Sequence, residues 1–80
     1  MLSDTDRAMI DLAGEFWRHE ALREAAMRER FDLTPTRFWQ RVNTLIELPE
    51  ALMHSPIVVN RLRARRAGAR GRRSARRLAV

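Results

Sequence analysis

The sequence predicts an all-α fold, a small bundle of four to five helices with a basic C-terminal helix and tail. Three observations predict it. Apolar residues recur at i, i+3, i+4 and i+7, the period of a helix with one buried face. Helix starts are spelled out by Ser3 with an acid three residues on, by Thr34-Pro35 and by Ser55-Pro56. Charge is segregated: residues 1–50 hold seven arginines against ten acids, a net of −3, while residues 51–80 hold nine arginines and no acid. That split reads as a helical domain over 1–62 followed by an Arg-rich extension over 63–80, partly disordered.

Taken in order, Ser3-Asp4-Thr5-Asp6 resembles a capping box, and its acids suit the positive end of the helix dipole. Met9, Leu12, Ala13, Phe16 and Trp17 extend the helical period, so a first helix is expected from about 4 to 18 with the aromatics in the core. Gly14 weakens that helix by about 1 kcal/mol relative to alanine, and close packing against a neighbouring helix accounts for its presence. Glu20–Phe31 is rich in strong helix formers, with Leu22, Ala26, Met27 and Phe31 as the buried side. Asp32 suits a left-handed residue in the connection, and Leu33 should then plug between two helices.

The third helix should begin at Pro35, capped by Thr34, and run to about Leu48, where Pro49 stops it. Phe38, Val42 and Leu45 form its inward stripe. Thr36, Arg37, Gln40, Arg41 and Thr44 fall on the other side, polar and positive, with no carboxylate. Glu50–His54 is consistent with one more short turn or helix. Pro56 starts the last, whose docking residues are Val58, Val59 and Leu62. From about residue 68 the arginine density and two glycines, Gly68 and Gly71, predict disorder.

Composition narrows the function classes. With no cysteine there is neither a disulfide nor a thiolate metal site, and an intracellular setting is the default. No apolar run reaches the roughly 18 residues of a membrane span. His19 and His54 have no companion at metal-ligand spacing, and no glycine-rich phosphate loop is present, so neither enzyme nor cofactor is expected.

Two helices joined by a short turn, the second capped and polar on one face, spell helix-turn-helix. Met27, Asp32, Leu33, Phe38 and Val42 fall at its expected positions. Two residues depart from the pattern: Asp32 stands where glycine is common, and Arg28 where a small residue is expected. The run Phe31–Leu52, followed by His54–Arg63, resembles a family of small uncharacterised actinobacterial proteins. Their pattern is F-x-L-[ST]-x-T-R-[FY]-[FYW]-Q, then P-x-A-L, then a proline-initiated basic helix. The resemblance spans roughly residues 5–66 and is densest over Leu33–Gln40. It implies a helical DNA-binding fold in a bacterial cytoplasmic protein, and no particular target.

The expected activity is transcription regulation or nucleoid association on double-stranded DNA, in the cytoplasm. Thr36, Arg37, Gln40 and Arg41 would lie nearest the base edges, with Thr44 on the same face, because Arg and Gln bridge guanine and adenine bidentately. Thr34 and the amides at the helix start would hold a phosphate. Arg61, Arg63, Arg65, Arg66, Arg70, Arg72 and Arg73 would add sequence-independent affinity by releasing counterions. The rivals are an RNA- or ribosome-associated basic protein, and an accessory factor that binds the transcription machinery or a second copy through an exposed Trp39.

Overall fold

The computed structural model describes residues 1–78, with side chains through residue 68. It has five helices: α1 (Asp4–Gly14), α2 (Glu20–Phe31), α3 (Pro35–Leu45), α4 (Pro49–His54) and α5 (Pro56–Leu78), with no strand among the described residues. The capping box of α1 is formed. Ser3 Oγ accepts from the Asp6 amide at 3.0 Å, and the Ser3 amide donates to Asp6 Oδ2 at 3.3 Å. Thr34 caps α3 by accepting from the Arg37 amide at 3.3 Å.

The turn between α2 and α3 is made as its residues dictate. Asp32 sits at φ 53, ψ 40, in the left-handed region, and its amide donates to the Arg28 carbonyl at 2.9 Å. Leu33 is half-buried against the core. Arg28, where a small residue was expected, is exposed and so leaves the α2–α3 contact unobstructed.

α1 packs on α3, α4 and α5; α2 lies on α3 and α4 on α5. The shared core is Met9, Ile10, Leu12, Met27, Phe38, Val42, Leu45, Ile46, Ala51 and Val59, with Leu62 at its edge. Phe38 is fully buried, edge-on to Trp39 and 6.0 Å from the Phe31 ring. Gly14 is where α1 meets α5: a Cβ there would lie 2.4 Å from Val58 Cγ1. Close approach, not backbone freedom, explains this glycine.

Three expectations are corrected. α1 ends at Gly14 rather than near residue 18, with Glu15 extended at ψ 145. Phe16 therefore leaves the stripe and is 93% exposed, while Trp17 is half-buried. On α2 it is Arg23, not Leu22, that turns inward: Arg23 is 6% exposed and Leu22 55%. The period tolerates either, and Arg23 is held by acceptors that only the folded chain brings to it. α3 stops at Leu45 because Leu48, preceding Pro49, is extended and serves as the first residue of the next cap.

The basic end continues the last helix. Its backbone is helical through Leu78, so the division expected at residue 63 falls inside α5. Alanine and arginine are strong helix formers, and they outweigh two glycines at about 1 kcal/mol each. At 1.5 Å per residue, α5 is about 34 Å long, which accounts for most of the 43 Å long axis of the molecule.

Candidate nucleic-acid interface

α3 presents an outward face set by its own period. With Phe38, Val42 and Leu45 buried, Thr36, Arg37, Gln40 and Thr44 are all exposed. The helix carries no acid, and Arg37 has no acidic partner among the described residues. Thr44 Oγ1 donates to the Gln40 carbonyl at 3.1 Å, which leaves its lone pairs and the Gln40 amide group directed outward. Thr34 Oγ1 accepts from the Arg37 amide in capping, which leaves its O–H and the first amides of the helix as donors for a phosphate at this end.

Arg41 does not belong to that free face. Its Nη2 donates to Asp6 Oδ1 at 3.0 Å, tying the middle of α3 to the start of α1. Partial burial opposes ionisation of Asp6, but the bonds from Arg41 and Ser3 outweigh it and hold this carboxyl below its ordinary value.

The arginines at the start of α5 are likewise occupied. α1 and α3 have no basic residue in their own last turns, so the negative ends of both helices lack local compensation. Tertiary contacts supply it. Arg61 Nη2 donates to the Gly14 carbonyl at 2.7 Å, and Arg23 Nη2 to the Glu15 carbonyl at 2.6 Å, both at the end of α1. At the end of α3, Arg63 Nε donates to the Ile46 carbonyl at 2.6 Å. Arg66 Nη1 reaches the Asn43 carbonyl at 3.2 Å and Glu47 Oε1 at 2.6 Å. Hydrogen bonds to a charged group contribute about 1.5–3 kcal/mol where they are buried, and about 0–1 kcal/mol where they are exposed, as for Arg61 on Gly14 and Arg66 on Glu47.

Arg65 lies over the Trp39 ring at 6.0 Å, and Arg23 packs on the same indole at 5.8 Å. Trp39 is thus half-buried, with two cations against its ring, rather than an open apolar surface. The backbones of Arg70, Arg72 and Arg73 are helical, but their side chains lie outside the described residues. Of the expected contact set, the structure brings Thr36, Arg37, Gln40 and Thr44 together on one face. It turns Arg41, Arg61, Arg63 and Arg66 to intramolecular partners.

Sequence reasoning missed the roles of Arg23, Arg61, Arg63 and Arg66 as long-range helix caps. A signal was present: two helices without a cation in their last turns, in a chain with sixteen arginines. The two histidines close helix ends, His19 before α2 and His54 at the end of α4, where its Nε2 is 2.8 Å from Asp11 Oδ1. Among the described residues no group of three or more His, Cys, Asp or Glu is placed to hold a metal ion. No described helix is long and apolar enough to cross a membrane. No curated protein and no solved structure matches the chain. A family model does match, over residues 1–77: the chain belongs to the uncharacterised family described as "Protein of unknown function (DUF3263)".

Proposed function

We propose that this chain is a DNA-binding protein, a small transcriptional regulator or nucleoid-associated factor that lays α3 into the major groove of double-stranded DNA. The observation that carries the reading is the outward face of α3: Thr36, Arg37, Gln40 and Thr44, exposed together with no carboxylate on the helix. An exposed helix face of this width and polarity suits the major groove. Arg37 and Gln40 are the base-reading pair, Arg37 for guanine O6 and N7 and Gln40 for adenine N6 and N7. Thr36 and Thr44 flank them. Because Arg41, Arg61, Arg63 and Arg66 are engaged within the fold, sequence-independent affinity is assigned to Arg65 and to Arg70, Arg72 and Arg73 further along α5.

Duplex DNA is favoured over RNA because single-stranded recognition relies on exposed aromatic platforms. Trp39 is half-buried with Arg23 and Arg65 against its ring, which leaves Phe16, outside α3 in sequence, as the exposed ring among the described residues. A protein partner is the second reading, supported by exposed Met53 and Ile57 near the start of α5.

The test is selection from a random duplex pool at two salt concentrations, followed by fluorescence anisotropy on the recovered site. Arg37→Ala should cost about 1–3 kcal/mol on that site and little on random DNA. Ending the chain at Gly68 removes five arginines and should flatten the log–log salt slope by about 0.9 for each phosphate released. Equal loss on every sequence for Arg37→Ala would remove α3 from base reading.

A further inference from the structure

We propose that the pocket between the α1–α2 connection and α5 is a binding site for a small organic anion. Its carboxylate or phosphate oxygens accept from Arg23 Nε and Trp17 Nε1, and its apolar body lies under Phe16. The site is distinct from the α3 face and does not rest on the DNA reading.

The observation behind it is a pair of unmet donors. Trp17 Nε1 and Arg23 Nε are buried and have no hydrogen-bond partner, and both residues line one cavity of about 390 Å³. A buried N–H without an acceptor costs free energy, so two of them beside one cavity call for an acceptor. Arg23 is 6% exposed and is held rigidly: Nη2 on the Glu15 carbonyl, Nη1 3.3 Å from Glu20 Oε2, and its plane beside Trp39. Its Nε is the one guanidinium nitrogen without a partner. Both unmet groups donate, so the complementary group is an acceptor and not a cation.

Charge and shape narrow the class further. Arg61 and Arg65, one turn apart on α5, line the same cavity, and neither has a carboxylate partner among the described residues. With Arg23 they stand against Glu15 and Glu20, a surplus of one positive charge, which suits a monoanion. Ala13, Leu62 and the two aromatics supply the apolar part of the wall. A cavity of this volume is in the range that takes metabolite-sized ligands. Duplex phosphates are too bulky to reach a side chain as deep as Arg23.

Both donors are shielded from solvent, so entry displaces part of the wall. Residues 16–18 are the part able to move. They make no backbone hydrogen bond among the described residues, and they carry the fully exposed Phe16 ring that would close over the ligand.

The test uses the full chain, uniformly ¹⁵N-labelled, titrated with benzoate, phenyl phosphate, inorganic phosphate and a short DNA duplex. The two indole N–H resonances are assigned on Trp39→Phe. Benzoate or phenyl phosphate should move the Trp17 resonance saturably, with half-saturation at about 1 mM, as expected for a ligand of this size. Arg61→Gln with Arg65→Gln, both on exposed residues, should weaken this about tenfold. Inorganic phosphate, lacking the apolar body, should move it at least tenfold less effectively than phenyl phosphate. The proposal is overturned by a Trp17 resonance unmoved by both aromatic anions, or moved equally by inorganic phosphate. It is overturned too by a response unchanged in the double variant, or by the duplex shifting Trp17 as the aromatic anions do. Loss of duplex binding by Arg37→Ala with the Trp17 response intact would leave this site standing on its own.

Discussion

Replacing Gly14 by alanine sets two effects against each other. In an isolated helix the change stabilises by up to about 1 kcal/mol, and by less here, in the last residue of α1. In the fold, the new methyl would stand 2.4 Å from Val58 Cγ1 and 3.1 Å from Cγ2, well inside the usual carbon contact of about 3.5–4.0 Å. Val58 is β-branched and helical, so one χ1 rotamer dominates and the side chain cannot turn away cheaply. α1 and α5 must move apart, which also stretches the 2.7 Å bond from Arg61 to the Gly14 carbonyl. Overpacking of this kind costs about 1–3 kcal/mol. Adding the weakened cap and subtracting the propensity gain leaves a net destabilisation of about 1–3 kcal/mol, or a Tm lower by about 5–15 °C for a domain of this size. Thermal denaturation followed by far-UV circular dichroism measures it. The decisive comparison adds Val58→Ala: relief of the clash should make the double variant more stable than the two single effects predict, by about 1 kcal/mol. A Gly14→Ala protein that melts higher than wild type, or a strictly additive double variant, would refute the reasoning.

Three further outcomes are expected. Asp32→Gly should raise stability by about 0.5–1 kcal/mol, since glycine adopts φ 53 without the Cβ penalty; an unchanged or lower urea midpoint would count against strain at this turn. Asp6, whose carboxyl is held low in the folded state, contributes stability in full above its unfolded value of about 3.9, and loses it as pH falls through the folded value. Asp6→Asn should therefore flatten the acid side of the stability–pH curve, read from urea titrations between about pH 2 and pH 5, and an unaltered slope would discount the Arg41 pair. Arg63→Met should cost about 1.5–3 kcal/mol of stability by freeing the Ile46 carbonyl, yet leave the salt slope of DNA binding as it was; a changed slope would return Arg63 to the phosphate contacts.

Much of this architecture can be traced to short-range chemistry. The capping box at Ser3, the Thr34-Pro35 start and the left-handed Asp32 were readable because each depends on residues within a few positions of one another. The inward stripe of α3 was readable for the same reason: a period of 3.6 puts Phe38, Val42 and Leu45 on one side. Gly14 was also interpretable, because a glycine inside a helical pattern carries its packing reason in its lack of a side chain. Where α1 stops was not readable, because no glycine or proline beyond Gly14 marks it. Its last carbonyls are satisfied by Arg23 and Arg61, from elements begun six and forty-two residues later at Glu20 and Pro56. The exposure of Phe16 follows from that stop.

By itself, then, the sequence determined the helical class, the starts of α1, α3 and α5, and an acid-free outer face on α3. Those properties come from local dihedral preference, capping and hydrophobic period. The tertiary structure alone decided which arginines are free. A guanidinium carries five donors on a long stem and can serve a phosphate or a distant carbonyl equally well, so its role depends on what the fold places within about 3 Å of it. Here the ends of α1 and α3 claim Arg23, Arg61, Arg63 and Arg66, and Asp6 claims Arg41. Arg37 is left facing outward on α3.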